Sequence, residues 1–291
     1  MTNLKTILAA ASGGSASAGA MELACRLARR FEARVEGFHA KPDPLDLLRY
    51  DASFGGGISG DFIDRFTNDT NALAAKVRAE FIAVLGRHGM DLAPRAADAL
   101  PGAIGASATW REETGYGPAL VAQRARFFDV AVLGRSERVI DQIHSDAVEE
   151  TLTRSGRPVL LAPAVAPESV GERVVLGWNG SVEAVRAMTA GLPFLAMARE
   201  TVVVSIGDLH HESAGSAIDY LAWHDVGAKH VAIPSRTDMA VGRQLLRAAS
   251  EQGADLLVMG GYGHMPWREF LFGGATRDVI GSSLLPVLLT H

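Results

Sequence analysis

Cysteine, basic charge and long apolar runs are all scarce in this chain of 291 residues, and each scarcity removes a class of protein. A single cysteine, Cys25, leaves nothing to form an internal disulfide with, which suits a reducing compartment. It falls in an apolar helical stripe with Met21, Leu23, Ala24, Leu27 and Ala28, the setting of a plain buried thiol. Net charge is −5, and neither half has a basic excess: 19 Lys+Arg against 20 Asp+Glu through Ala166, then 9 against 13. A large nucleic-acid footprint is therefore excluded. The apolar run at residues 7–11 is shorter than the roughly 7–15 residues of a signal-peptide core. The longest run elsewhere, residues 188–198, is broken by Pro193 and is far too short to span a bilayer. The expectation is a cytoplasmic protein with no membrane contact. There is no G-x-x-x-x-G-K-[ST] loop, no H-E-x-x-H and no paired-cysteine metal signature, so no metal site is expected.

What the chain does contain is itself, twice. The segment Asp129-Val-Ala-Val-Leu-Gly134 recurs as Asp255-Leu-Leu-Val-Met-Gly260, and Pro158-Val-Leu-Leu-Ala162 recurs as Pro286-Val-Leu-Leu-Thr290. Ahead of them, Ile7-Leu8 leads to Gly14-Ser15 as Val175-Leu176 leads to Gly180-Ser181. Three marks in the same order indicate a duplication, with domains at 1–166 and 167–291. Ser15 to Asp129 is 114 residues and Ser181 to Asp255 is 74, so the first repeat carries about 40 extra residues, assigned to 42–89. In each repeat short continuous apolar runs alternate with helical patterns. That predicts open parallel α/β sheets covered on both faces, which bind ligands beyond the carboxyl ends of their strands.

A glycine loop stands at such an edge. After the strand at 256–259 come Gly260-Gly261-Tyr262-Gly263, and nine residues later Gly273-Gly274-Ala275-Thr276 opens a helix. Glycines let a backbone approach a ligand closely, and the N–H groups of a helix start attract anions. The Thr276 hydroxyl is a further phosphate donor, and Arg268 can reach the β- or γ-phosphate. The spacing resembles the nucleotide-binding motif of the universal stress protein family, G-x2-G-x9-G-(S/T), and the likeness extends over nearly the whole chain as two tandem copies. The resemblance implies a Rossmann-like, adenine-nucleotide-binding type of fold, with the two repeats paired through their final strands as an intramolecular pseudo-dimer. It also implies that two chains form a homodimer. It places ATP or another adenine nucleotide, with or without Mg2+, on Gly260, Gly263, Gly273, Gly274, Ala275 and Thr276, with Asn179, Ser205 and Ile206 beside the nucleoside. Two positions depart from the pattern. Gly274 stands where the family has Ser or Thr, and Asn179 where it often has Asp, so one hydroxyl and one charge are lost and weaker binding is expected.

The first repeat departs further. Its loop reads Gly134-Arg135-Ser136-Glu137, with a carboxylate in place of the second glycine, so this repeat is expected to hold no nucleotide. The segment from Ser12 to Ser17 resembles the SGGxDS loop of ATP pyrophosphatases, but Ala16 replaces its Asp, and a serine-capped strand-to-helix turn is the simpler reading. The pair His210-His211 lacks a third ligand, and His264 lies alone within the glycine loop. No general base is evident. The leading expectation is a non-catalytic, nucleotide-responsive stress protein that acts on a protein partner. The alternatives are an interaction protein with an empty site and a weak ATP hydrolase.

Overall fold

The computed structural model describes residues 4–44, 60–93, 106–135, 142–207, 211–261 and 279–291. They form two compact units, Lys5–Arg157 and a second built chiefly from Pro158–His291.

In the first unit, β1 (Thr6–Ala10), β2 (Arg34–Lys41), β3 (Ser107–Thr114) and β4 (Val130–Gly134) lie in the order β3-β2-β1-β4, all parallel. The helices are α1 (Gly14–Phe31), α2 (Gly60–Arg87), α3 (Gly117–Ala125) and α4 (Gln142–Arg154). The helices α1 and α2 pack together, as do α3 and α4, and right-handed crossovers put the two pairs on opposite faces. Ile7, Leu8 and Ala9 are therefore fully buried, as the apolar runs predict. The helix α2 has 28 residues, and its buried positions Ala74, Val77, Phe81, Val84 and Leu85 all lie in its second half. The expected serine cap on α1 is not formed. Gly13 occupies the cap position at φ +91°, a backbone conformation that serine rarely adopts, and no side chain caps the helix.

Charge pins this unit at two places. Glu36 on β2, buried, takes a two-pronged hydrogen bond from Arg124 of α3 at 2.6 and 2.8 Å, and the guanidinium also lies 5.4 Å from the Phe128 ring centre. Glu22 on α1 accepts from Arg26 at 3.2 Å and from Arg87 at 2.9 Å, and meets His88 Nε2 at 2.7 Å, which ties α1 to the end of α2.

The second unit holds β5 (Val159–Ala162), β6 (Arg173–Gly177), β7 (Glu200–Ile206), β8 (Ala228–Ile233), β9 (Leu256–Gly260) and β10 (Val287–Thr290). Their order is β5-β10-β9-β6-β7-β8, parallel except for β5. The helices are α5 (Val182–Leu195), α6 (His211–Trp223) and α7 (Val241–Glu251). Ser181 caps α5, its Oγ accepting from the Ala184 N–H at 3.2 Å, and Pro193 is absorbed in that helix's last turn. In sequence β5 closes the first repeat. In the structure it is hydrogen-bonded, antiparallel, to β10, which closes the second. Leu160 lies opposite Leu288, its own counterpart in the repeat, so the two copies of one strand meet about a local two-fold, the geometry of a symmetric dimer contact made within one chain.

The same aspartate device fixes the start of both sheets. Asp129 Oδ2 accepts from the N–H groups of Lys5 and Thr6 at 2.8 and 2.9 Å. Asp255 accepts from those of Glu172 and Arg173 at 3.1 and 3.0 Å.

Glu22 supplies a pH test. Burial raises its proton affinity, but hydrogen bonds from Arg87, His88 and Arg26 outweigh that and hold the carboxyl below its ordinary range. A lowered folded pKa contributes stability that is complete above the unfolded carboxylate value and is lost as pH falls through the folded one. Urea unfolding should therefore show Glu22→Gln less stable than wild type at neutral pH, with the gap closing as pH falls from about 5 to below the ordinary glutamate range. A gap that stays constant over that range would show that the carboxylate charge is not what holds the helices.

Candidate functional site

Ladder register aligns the two repeats residue by residue. Ile7 pairs with Val130 and Val174 with Leu256, so Ser12 corresponds to Asn179 and Gly13 to Gly180. Both glycines have positive φ, +91° and +69°. This corrects the sequence alignment by one position, because it is Gly13 and not Gly14 that matches Gly180. The same reasoning along β2 and β7 matches His39 with Ser205 and Ala40 with Ile206.

In the second repeat, Asn179, Ser205, Ile206 and Gly260 gather at the carboxyl ends of β6, β7 and β9, where an open α/β sheet binds its ligands. Gly263, Arg268, Gly273, Gly274, Ala275 and Thr276 lie outside the described residues, as do His210 and His264. Asn179 is exposed. Its Oδ1 accepts from the Ser181 N–H at 3.2 Å, which shapes the turn into α5 and leaves the side-chain NH2 as the group a ligand can meet. Ser205 is fully buried, and its Oγ meets His230 Nε2 on β8 at 2.8 Å, so only its backbone position borders the edge. Sequence reasoning missed His230, because nothing in either strand alone signals a cross-strand partner.

Gly260 has a reason of its own. A Cβ there would lie 2.5 Å from the carbonyl carbon of Glu183 and 2.7 Å from the Ala184 nitrogen, in the first turn of α5. The Thr290 hydroxyl donates to the Glu183 carbonyl at 3.1 Å and holds that turn down. In the first repeat a Cβ on Gly134 would lie 2.0 Å from the Ala16 carbonyl oxygen in α1. Close approach of a helix start thus demands glycine at this position in both repeats, whether or not the loop that follows holds a phosphate.

The first repeat has a cavity of about 100 Å3 at the equivalent edge. Its floor is the ends of β1, β2 and β4, with Ala11, Phe38, Ala40 and Leu133. Its walls are Pro118 and Val121 of α3 and Ala147 of α4. On α4, burial first and then the nearby Asp146 and Glu150 raise the Glu149 carboxyl above its ordinary range. Cys25 is buried and its thiol is pushed up to about 12, so it is no nucleophile. Among the described residues no group of His, Cys, Asp and Glu side chains is arranged to hold a metal ion, and no helix is long and apolar enough to cross a membrane.

No protein-family model and no curated protein sequence matches the chain. Solved structures do. A universal stress protein from Archaeoglobus fulgidus DSM 4304 superposes with a TM-score of 0.71 at 14% identity, over 98% of this chain and 97% of that one. A putative universal stress protein from Pseudomonas aeruginosa UCBPP-PA14 gives 0.53 at 12% identity, over 99% and 93%. A functionally unknown protein from Pseudomonas aeruginosa PAO1 gives 0.52 at 13%, over 99% and 92%. The chain therefore has the tandem α/β fold found in universal stress proteins.

The close approach at Gly134 and Gly260 is open to measurement. Either Gly134→Ala or Gly260→Ala should cost about 3 kcal/mol or more, since a backbone and not a pliant side chain must move. Chemical unfolding with both variants within about 1 kcal/mol of wild type would remove the packing explanation.

Proposed function

We propose that this chain is a tandem universal stress protein that binds an adenine nucleotide, ATP first among them, in its second repeat and acts without catalysis as a nucleotide-responsive regulator. The observation that best supports this is the convergence of Asn179, Ser205, Ile206 and Gly260 at the carboxyl ends of three parallel strands, immediately before the segment carrying Gly263, Gly273 and Thr276. In this reading the Asn179 NH2 donates to the nucleoside, and the backbone from Gly263 to Ala275 and the Thr276 hydroxyl meet the phosphates. Arg268, with or without Mg2+, offsets their charge. Gly260 sets where the loop leaves the sheet. Binding changes the protein's behaviour only through a difference in affinity between two of its states, and a protein partner reads the result in the cytoplasm.

One observation favours a second reading, an interaction protein with an empty site: Gly260 is required by packing alone. Thermal unfolding with saturating ATP and Mg2+ separates the two. Ligand at 100 times its dissociation constant adds about 2.7 kcal/mol, a midpoint rise of very roughly 5–10 °C for a unit of this size. The rise should vanish in Gly263→Val. No rise up to millimolar ATP would leave the empty-site reading standing. Phosphate release that survived Gly263→Val would show that any hydrolysis arises elsewhere.

Two chains are further proposed to associate as a homodimer. Sedimentation should give twice the chain mass at micromolar concentration, and a mass of one chain throughout would end that proposal.

A further inference from the structure

We propose that the outer face of α5 is the contact through which two copies of this chain pair, helix against helix, about a two-fold axis at Thr189. This rests on the homodimer reading above and not on nucleotide binding. Only two of the fourteen residues of α5 are charged, Glu183 and Arg186. One side of the helix is used by the sheet, where Ala184, Ala187, Met188, Gly191, Leu192 and Leu195 are buried. A second line runs along the opposite side: Val182, Val185, Thr189, Pro193 and Ala196, with Val182 61% and Val185 44% exposed. Its spacing is close to the 3.5-residue repeat of a coiled-coil seam. Thr189 belongs to it as an apolar residue, because its hydroxyl donates back to the Val185 carbonyl at 3.0 Å and is satisfied within the helix. A helix that is apolar all round is ordinarily a buried one. Within a single chain this line stays open.

The first repeat carries the same line in polar form. Counted from Gly13 against Gly180, it reads Ser15, Ala18, Glu22, Arg26 and Arg29. There the 28-residue α2 packs beside α1, and Glu22 meets Arg87 and His88 at its end. In the second repeat the corresponding helix is the 13-residue α6, packed on β7 and β8, and the line on α5 has turned apolar. A second copy suits that line because the line is complementary to itself. Antiparallel pairing about Thr189 sets Val182 over the partner's Ala196 and Val185 over the partner's Pro193, so each valine meets a more compact apolar residue, as an isologous contact requires. Glu183 and Arg186 lie off the line, so two chains of net charge −5 approach along it without like charges meeting. Fourteen helical residues span about 21 Å, and contact along them falls short of the roughly 800 Å2 per partner of a standard stable interface. The pair therefore forms and parts with concentration.

Sedimentation of the full chain tests this. Wild type should approach two-chain mass as concentration rises through the micromolar range. Val185→Lys changes an exposed position and should raise the dimer dissociation constant tenfold or more, because pairing would bury an unpaired ammonium. Thr189→Cys adds a reporter at the axis. The native Cys25 is buried with its thiol pushed up to about 12, so it contributes no background. With a mild oxidant Thr189→Cys should form a two-chain disulfide, and Trp223→Cys, exposed but on α6, should not. The proposal is overturned if Val185→Lys leaves the dimer intact, if Thr189→Cys fails to cross-link where wild type is dimeric, or if Trp223→Cys cross-links as readily. The homodimer reading survives each of those results, whereas one-chain mass for wild type throughout would end both.

Discussion

In each repeat the first turn of a helix passes so close to the end of a neighbouring strand that no side chain fits between them. That contact, α1 over Gly134 and α5 over Gly260, brings the start of the helix after the repeat's first strand against the end of its fourth strand. The crevice at which an open sheet reverses its strand order is made by this approach. At the other end of the same short segment an aspartate accepts the first N–H groups of the neighbouring strand. The six-residue mark that betrays the duplication is thus a strand held at both ends, by a carboxylate at its start and by the lack of a side chain at its finish. Neither end requires a ligand, which accounts for the mark's persistence in a repeat whose following loop has lost its second glycine.

The repeats differ in how they use polarity around that shared frame. The first invests in ion pairs: Arg124 on Glu36 beneath α3, and Glu22 between α1 and α2. At the position matching Glu36 the second repeat has the buried Val202. A cross-strand polar contact instead lies three positions nearer the carboxyl edge, on the other face of the strand, Ser205 to His230. In the first repeat the matching layer holds His39, whose Nδ1 meets the Ala11 carbonyl and whose ring stacks on Trp110 at 6.4 Å. The frame thus tolerates exchange between apolar, ionic and aromatic layers, and even a buried ring nitrogen, His39 Nε2, without a hydrogen-bond partner among the described residues.

The strands, their parallel packing and the duplication were legible because buried parallel strands read as continuous apolar runs that survive divergence. Cys25 was legible for the same reason. Ser205 and Asn179 were placed at the right edge by counting, but the hydrogen bond of Ser205 was not foreseen, since its partner His230 lies 25 positions away, as Arg124 lies 88 from Glu36 in the first repeat. The serine cap on α1 was misread because a run of Ser and Gly satisfies either cap, and only the positive φ at Gly13 decides between them. The alignment slipped by one for a related reason: Gly13 and Gly14 both have positive φ, and only the ladder tells which one matches Gly180.

The antiparallel pair of β5 and β10 sets a schedule for synthesis. Leu160 and Leu288 meet across 128 positions of chain, so β5 emerges from the ribosome well before its partner exists. At cellular elongation rates that interval is roughly 6–25 s. For that time Val159–Ala162, entirely apolar, presents an unpaired strand edge of the kind that recruits foreign strands. A nascent chain of this architecture is most exposed to misassembly in the middle of its own translation, after the first sheet can form and before the second can close.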